Sequence, residues 1–286
     1  MVTLYQEARA ALRESSFRPR KRFGQNFLVQ EGILDAIVRF VDLSPHDEVV
    51  EIGPGLGFLT RRLLAVAQRV WAIEVDATLV EWLRRSPWGS HPALELLHAD
   101  FLEFPLGSVL PDRKIKLVAN LPYSISTPAL FRIFELREHF SLLVLMLQQE
   151  VAERLLAAAG TKAFGSLSVW FQVHGRILDK LSVSPEAFFP RPKVRSTVLK
   201  IALYPEPLAP AADFPWLRLL VRAAFGQRRK MLSNALAGAL QGDRGDVARI
   251  LDGQGIDPRR RGETLSVDEF IRLARAVKKT GLTAGA

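Results

Sequence analysis

The chain has 286 residues, of which 48% are hydrophobic, and this is enough for a full core and for two domains. Its formal net charge of +9 favours a polyanionic partner, although charge alone does not identify that partner. The absence of cysteine excludes disulfides, cysteine-ligated metals and a cysteine nucleophile. The five histidines lack the paired spacing of metal ligands and no apolar run reaches membrane-spanning length, so we expect a cytoplasmic protein without a bound metal.

The amino-terminal arm, residues 18–28, has the sequence RPRKRFGQNFL, in which basic and aromatic residues are interleaved. Basic runs are most often solvated, but residues 30–41 continue directly with the spacing of a helix. We therefore predict that the arm folds back over a pocket. Its candidate phosphate contacts are Arg20, Lys21 and Arg22.

A glycine-rich loop, EIGPGLG at residues 51–57, follows a short apolar strand and leads into a helical pattern over residues 58–64. This order is typical of the start of a nucleotide-binding α/β unit, because glycine lets the backbone approach a ligand near a helix amino terminus. A dinucleotide fingerprint requires a third glycine where this chain has Phe58. The observed Gly-x-Gly-x-Gly form, with an acid two residues before it, favours S-adenosylmethionine, with Gly53 and Gly55 as candidate contacts.

Two acidic residues end the next two predicted strands, residues 69–74 and 94–100. Glu74 comes about 20 residues after the first glycine, where an acid can accept hydrogen bonds from ribose hydroxyls. Asp100 can accept from an adenine amine, and Phe101 can cover the ring. A single acid at a strand end is usually a helix N-cap. Two acids that share a sheet edge with a glycine loop are better explained by a ligand.

The most informative motif is Asn120-Leu121-Pro122-Tyr123, which closes a predicted buried strand at residues 115–119. The Asn120 amide oxygen and the Leu121 carbonyl can accept the two N–H groups of an exocyclic amine. The Tyr123 ring can stack on a nucleobase. A proline-punctuated turn would explain the motif alone about equally well. Its position after the glycine loop favours the functional interpretation.

The rest of the first 204 residues predicts an α/β domain with a mostly parallel sheet. Two of its last strands form a hairpin-like pair joined by a proline-rich loop. The predicted elements are helices at 128–137 and 149–158, a strand at 142–147, a short amphipathic segment at 166–173, and strands at 176–183 and 197–203.

The composition changes at residue 205, where proline-rich residues 205–214 predict a linker. Beyond it the patterns are helical, over residues 214–224, 229–239, 243–251 and 266–277. We therefore predict domains at residues 1–204 and 205–286. The second domain carries basic clusters that suggest a surface for RNA phosphates. Its candidate contacts are Arg228, Arg229, Lys230, Arg259, Arg260 and Arg261.

Together these motifs closely resemble the small-subunit ribosomal RNA adenine dimethyltransferases of the KsgA type, over nearly the whole chain. The matching segments are residues 21–28, 51–57, 120–128, 188–194, 225–230, 255–258 and 265–267. The resemblance implies a Rossmann-like S-adenosylmethionine-dependent methyltransferase fold with a mostly parallel seven-stranded sheet. It also implies a small all-helical carboxyl-terminal domain that binds RNA.

The resemblance also implies the roles of individual residues. Cofactor contacts would be Asn26, Leu28, Gly53, Glu74, Asp100 and Asn120, and target-base contacts would be Asn120, Leu121, Tyr123 and Phe188. One position departs from the family. After Lys193-Val194 in the proline-rich loop, where the family often has a small or acidic residue, this chain has Arg195. We expect that difference to tune RNA contact.

Members of this family place two methyl groups on N6 of each of two adjacent adenosines in a hairpin near the 3′ end of 16S rRNA. S-adenosylhomocysteine would be the product of the cofactor. The expected mechanism is in-line attack of the adenine amine on the sulfonium methyl, with no covalent enzyme intermediate and no strong general base. We expect a monomer that acts on a small-subunit precursor during ribosome biogenesis.

Two alternatives remain open at this point. One is the related class that methylates large-subunit rRNA, against which the long helical carboxyl domain argues. The other is a non-catalytic RNA-binding assembly or transcription factor that keeps the fold. The intact glycine loop and the motif at residues 120–123 argue against a methyltransferase fold that has lost its activity.

Overall fold

The computed structural model describes residues 2–14 and 25–280. Two compact units divide the chain: Met1–Ala152 with Ile177–Leu203, and Glu153–Arg176 with Tyr204–Ala286. The expected change of domain near residue 204 coincides with a change of unit. Glu153–Arg176, which the sequence placed in the first domain, instead belongs to the second unit.

The strands within the described residues form two sheets. They are β1 (Phe27–Leu28), β2 (Glu48–Ile52), β3 (Arg69–Glu74), β4 (Leu94–His98), β5 (Ile115–Asn120), β6 (Phe140–Gln148), β7 (Gly175–Val183), β8 (Phe188–Phe189) and β9 (Ser196–Leu203). The larger sheet has seven strands in the order β4-β3-β2-β5-β6-β9-β7. Strands β2 to β6 are parallel to their neighbours, whereas β9 runs antiparallel to β6. This confirms the mostly parallel α/β fold.

The smaller sheet pairs the two short strands β1 and β8. The pairing is antiparallel, with Phe27 opposite Phe189 and Leu28 opposite Phe188. Sequence reasoning did not anticipate this pair, since two-residue strands carry no periodicity. It brings the end of the amino-terminal arm next to a segment that lies 160 residues later in the chain.

Helices of the first unit flank the larger sheet. They are α1 (Leu4–Glu14), α2 (Glu31–Val41), α3 (Thr60–Leu64), α4 (Ala77–Arg85), α5 (Ser126–Glu135) and, at the boundary of the units, α6 (Gln149–Leu156). The buried residues of α2 recur at helical spacing, at Leu34, Ile37 and Val41, as the sequence pattern predicted. Helix α1, which the sequence analysis did not predict, buries one apolar face in the core of this unit.

The second unit is helical apart from the first residues of β7. It contains α7 (Ser166–His174), α8 (Phe214–Gly226), α9 (Leu232–Ala239), α10 (Arg244–Gly253) and α11 (Val267–Thr280). Helix α7 covers the segment predicted to be amphipathic, but it is instead buried on nearly all sides. The Trp170 and Phe214 rings pack edge to face with centroids 5.5 Å apart. Such a helix needs apolar neighbours all round, which explains why α7 clusters with the carboxyl-terminal helices.

The predicted linker at residues 205–214 is fixed to α7 and is not a free connection. The Leu208 N–H donates to the Val173 carbonyl over 2.9 Å, and Ala209 is fully buried. The proline-rich composition predicted a linker, but the structure buries Ala209 and leaves the side chain of Leu208 exposed. No helix of the described ranges is both long enough and apolar enough to cross a bilayer.

Candidate active site

One pocket of the first unit lies at the carboxyl edge of the parallel strands, where ligands bind in open α/β sheets. It is formed by the loops after β2, β3, β4 and β5, together with β1 and β8. All ten residues predicted to contact cofactor or target base line it: Asn26, Leu28, Gly53, Gly55, Glu74, Asp100, Asn120, Leu121, Tyr123 and Phe188. The fold therefore gathers residues that are up to 162 positions apart in the sequence.

The glycine loop takes the conformation that its sequence requires. Gly53, Gly55 and Gly57 have φ angles of 69°, 61° and 80°, in the left-handed region that other residues avoid. A Cβ on Gly57 would lie 2.1 Å from the Trp88 ring, so a side chain there is also sterically excluded. The loop backbone is thus held close to its neighbours and leaves the pocket side open.

Glu74 ties the glycine loop to the end of β3. Its two carboxylate oxygens accept hydrogen bonds from the Gly55 N–H over 3.1 Å and from the Asp76 N–H over 3.0 Å. Burial raises the pKa of Glu74, and the nearby Asp76 charge adds to that rise while the backbone N–H groups oppose it. Each oxygen has a second lone pair. The side chain can therefore hold the loop and still accept from a ligand hydroxyl.

Glu51 is a buried acid whose role the sequence analysis did not assign. It is 2% exposed, and burial raises its pKa to about 8, with a smaller contribution from the Glu74 charge. The Thr60 hydroxyl partly offsets that rise. Neither Glu51 Oε2 nor Thr60 Oγ1, however, has a hydrogen-bond partner of normal geometry among residues 2–14 and 25–280. A buried carboxyl group with an unpaired oxygen that lines a pocket is suited to a cationic ligand.

Asp100 combines the two interpretations of a strand-end acid. Its Oδ1 accepts from the Leu102 N–H over 2.9 Å, which is the capping role that acids commonly have. The residue is exposed and lines the pocket, while the neighbouring Phe101 is 3% exposed. The remaining carboxylate oxygen is available to a ligand.

The Asn120 side chain is oriented by the backbone of the amino-terminal arm. Its Nδ2 donates to the Asn26 carbonyl over 3.2 Å. In the part of the chain that the structure describes, no group donates to its Oδ1 or to the Leu121 carbonyl. Leu121 is fixed by its own N–H, which donates to the Met146 carbonyl over 3.1 Å. The motif thus presents two fixed acceptors at this edge of the sheet.

Tyr123 is held by a residue that sequence reasoning missed. Its hydroxyl and the Ser196 Oγ share a hydrogen bond of 2.9 Å, and Ser196 is 1% exposed. Burial raises the pKa of Tyr123, so the phenol stays neutral at physiological pH. Ser196 begins β9 opposite Gln148 of β6. Only the strand order brings it beside residue 123, so no local sequence signal could have identified it.

Some of the basic residues predicted to contact RNA already form ion pairs and hydrogen bonds within the protein. Arg228 pairs with Glu263 over 2.7 Å and also donates to the carbonyls of Lys162 and Phe164. Arg260 forms a bidentate pair with Glu269. These two arginines therefore stabilise the second unit. Arg20, Lys21 and Arg22 lie outside the described residues.

The other four basic residues of the second unit's predicted set remain exposed around the same loops. Arg229, Lys230 and Arg261 form no ion pair within the described residues, whereas Arg259 pairs with Asp257 over 3.2 Å and keeps 82% of its side chain exposed. The helix that was expected from residue 229 begins at Leu232. The cluster at residues 228–230 is consequently a turn between α8 and α9, and its free cations project from that turn.

Most of the chain matches known proteins. The family model "Ribosomal RNA adenine dimethylase" matches residues 16–278. The chain belongs to this family. A ribosomal RNA small subunit methyltransferase A of Geobacter metallireducens is 44% identical to this dimethylase over 94% of this chain and 99% of its own. A second ribosomal RNA small subunit methyltransferase A, from Syntrophotalea carbinolica, is 46% identical over 91% of this chain and 97% of its own.

Solved structures place the dimethylase among RNA-modifying methyltransferases. A dimethyladenosine transferase from Plasmodium falciparum aligns with a TM-score of 0.75 at 26% identity, over 88% of this chain and 98% of that one. The 23S rRNA methyltransferase ErmE aligns with a TM-score of 0.66 at 25% identity, over 88% and 100%. The whole ErmE chain is matched, so the helical carboxyl region by itself does not separate the two classes. The sequence relatives separate them, because those at 44% and 46% identity are small-subunit methyltransferases. The protein is therefore an rRNA methyltransferase with a Rossmann-like fold.

Proposed function

We propose that this dimethylase transfers methyl groups from S-adenosylmethionine to N6 of two adjacent adenosines in a hairpin near the 3′ end of 16S rRNA. The product would be N6,N6-dimethyladenosine, formed on a precursor of the small subunit by a monomeric enzyme during ribosome biogenesis. The observation that supports it best is the pair of fixed acceptors at Asn120 and Leu121, beside the half-buried ring of Tyr123.

The pocket fits S-adenosylmethionine by the chemistry of its polar groups. The unpaired Glu51 oxygen suits a cationic end, and Glu74 suits the ribose hydroxyls. Asp100 suits the adenine amine, while the open side of Gly53 and the backbone of Asn26 and Leu28 complete the wall. When bound, this cofactor supplies an electrophilic methyl group on a sulfonium centre.

The residues of the motif then act by positioning. Asn120 Oδ1 and the Leu121 carbonyl accept the two N–H groups of the target amine, which turns the nitrogen lone pair toward the cofactor side of the pocket. Tyr123 and Phe188 hold the plane of the extruded base. In the second transfer the amine has one N–H, so one of the two acceptors must be dispensable.

A methyl-transfer assay with labelled S-adenosylmethionine tests the proposal directly. Undermethylated small subunits should accept label at N6 of two adjacent adenosines, and large subunits should not. Label on large subunits alone would instead support the ErmE-like function, and binding of small subunits without label would support a non-catalytic role.

Replacing Glu74 with alanine should weaken S-adenosylmethionine binding by about 1–3 kcal/mol, the usual cost of losing a buried hydrogen-bond partner. The weaker binding should be accompanied by a lower melting temperature, because the Gly55 and Asp76 N–H groups lose their acceptor as well. Calorimetric titration measures the first effect. Glu74→Gln keeps one carbonyl oxygen, so its affinity for S-adenosylmethionine should lie between that of the unsubstituted protein and that of Glu74→Ala. Tight binding of a nicotinamide dinucleotide without S-adenosylmethionine binding would contradict the cofactor assignment.

Neutralising the free cations of the second unit should weaken binding to the small subunit and flatten its salt dependence. For Arg229, Lys230 and Arg261 together, the log–log salt slope should fall by about 0.7–0.9 for each RNA phosphate that the variant no longer neutralises. Filter binding between low and moderate salt measures this slope. Arg228→Ala serves as the contrast, because it should lower thermal stability by removing the ion pair with Glu263. An unchanged slope in the triple variant would show that this surface does not meet RNA.

A further inference from the structure

The loop between β8 and β9, residues 190–195 with the sequence PRPKVR, connects two parts of the candidate base site; we name it the proline loop. Phe188 lines the pocket two residues before it, and Ser196 directly after it holds the Tyr123 hydroxyl. The Arg195 carbonyl accepts from the Gln149 N–H over 3.0 Å. Since adjacent Cα atoms are about 3.8 Å apart, the end of the proline loop is fixed one residue from the partner of the tyrosine.

The proline loop carries three exposed cationic side chains at every second position, Arg191, Lys193 and Arg195. Arg191 forms an ion pair with Glu186. Arg195 donates to the neutral Ser182 hydroxyl over 3.1 Å, and Lys193 has no partner within the described residues. Two of the three positive charges therefore form no ion pair in that part of the chain.

We propose that Lys193 and Arg195 bind the phosphates that flank the target adenosine and hold the RNA backbone while the base lies in the pocket. This inference rests on the proposed methylation of RNA. An extruded base loses its stacking and pairing, and contacts to the neighbouring phosphates fix the register of the strand. A lysine and an arginine that form no salt bridge within the described residues can supply the charge-assisted hydrogen bonds that phosphates accept.

The role differs from that expected of Arg229, Lys230 and Arg261. Those residues belong to the second unit and would increase affinity for the subunit as a whole. The two residues of the proline loop lie close in sequence to the partner of Tyr123 and would decide which nucleotide enters. Their removal should therefore appear in kcat/KM for the RNA more than in the affinity for S-adenosylmethionine, which is bound by other residues.

The test compares three double variants of the full chain, assayed on undermethylated small subunits. Lys193→Met with Arg195→Gln removes both charges at similar side-chain length, and Lys193→Arg with Arg195→Lys exchanges them. Arg39→Gln with Lys114→Met removes two charges elsewhere on the first unit, and Lys114 lies at the amino end of β5, away from the pocket.

For the neutral variant we expect kcat/KM to fall roughly tenfold or more. Its salt slope should flatten by about 0.7 for each phosphate that it no longer neutralises, with unchanged melting temperature and S-adenosylmethionine affinity. The exchanged variant should retain near-normal activity, as should the distant control. A neutral variant that behaves like the distant control, or an exchanged variant as impaired as the neutral one, would overturn the inference. If the unsubstituted enzyme itself leaves small subunits unmethylated, the proposed function fails first and the inference falls with it.

Discussion

The Asn120→Ala variant should lose most methyl transfer, with kcat lowered about 100-fold or more, while its fold and RNA affinity stay nearly unchanged. Asn120 Oδ1 is oriented by the 3.2 Å hydrogen bond from Nδ2 to the Asn26 carbonyl. Removing this acceptor lets the target amine rotate, and misplacing a reacting group by about 1 Å can cost about 100-fold in rate. Single-turnover assays at saturating S-adenosylmethionine measure the effect, since saturation removes any change in cofactor affinity.

Tyr123 provides the matched comparison for that experiment. Tyr123→Ala should cost about 1–3 kcal/mol because the base loses its stacking partner. Tyr123→Phe should be mild, because the ring is retained and only the hydrogen bond to Ser196 is removed. Ser196→Ala removes the same bond from the other side and should match Tyr123→Phe. Near-normal turnover by Asn120→Ala would mean that another group orients the amine.

The Glu51→Gln variant should gain stability over the unsubstituted protein as the pH rises from about 5 to about 8. Burial raises the pKa of Glu51 to about 8 in the folded protein, from an ordinary value of 4.5. Such a carboxyl group imposes no ionisation cost below its ordinary pKa, and the cost of keeping it folded grows by about 1.4 kcal/mol per pH unit up to its folded pKa. Glutamine does not titrate, so the difference in unfolding free energy should widen by roughly 3 kcal/mol between about pH 5.5 and about pH 8.5. Denaturant titrations at both values measure it.

S-adenosylmethionine should narrow this difference in stability. If Glu51 faces the cationic end of the cofactor, binding favours the ionised carboxylate, so affinity should rise with pH toward about 8 in the unsubstituted protein and stay flat in Glu51→Gln. Calorimetry in buffers of different ionisation enthalpy should detect a released proton for the first protein and not for the second. A stability difference that does not change with pH would show that Glu51 is ionised throughout.

The edge of the sheet that carries the pocket could be predicted from sequence because its signals are local. Apolar runs marked β2, β3 and β5, and each run is followed directly by the residues that line the pocket, such as Gly53, Glu74 and Asn120. In a parallel sheet the carboxyl ends of strands meet at one edge. Recognising the strands was therefore sufficient to bring these side chains together.

The second unit was less predictable because its organisation depends on partners far apart in the chain. Helix α7 has apolar residues on every side, a pattern that does not say which helices cover it. Its union with residues after 204 is decided by long-range packing. In the same way, Arg228 and Arg229 look alike in sequence, and only the position of Glu263 makes one structural and leaves the other free.

The sequence by itself determined the parallel α/β fold, the glycine loop and ten of the residues that line the pocket. Their signals lie within a few residues of one another, where steric and periodic constraints act directly. The tertiary structure alone decided that Asn26 orients Asn120, that Ser196 holds Tyr123 and that Glu51 is buried with an unpaired oxygen. These three facts depend on which strands become neighbours, and the hydrogen bonds and desolvation that follow arise only once the sheet has formed.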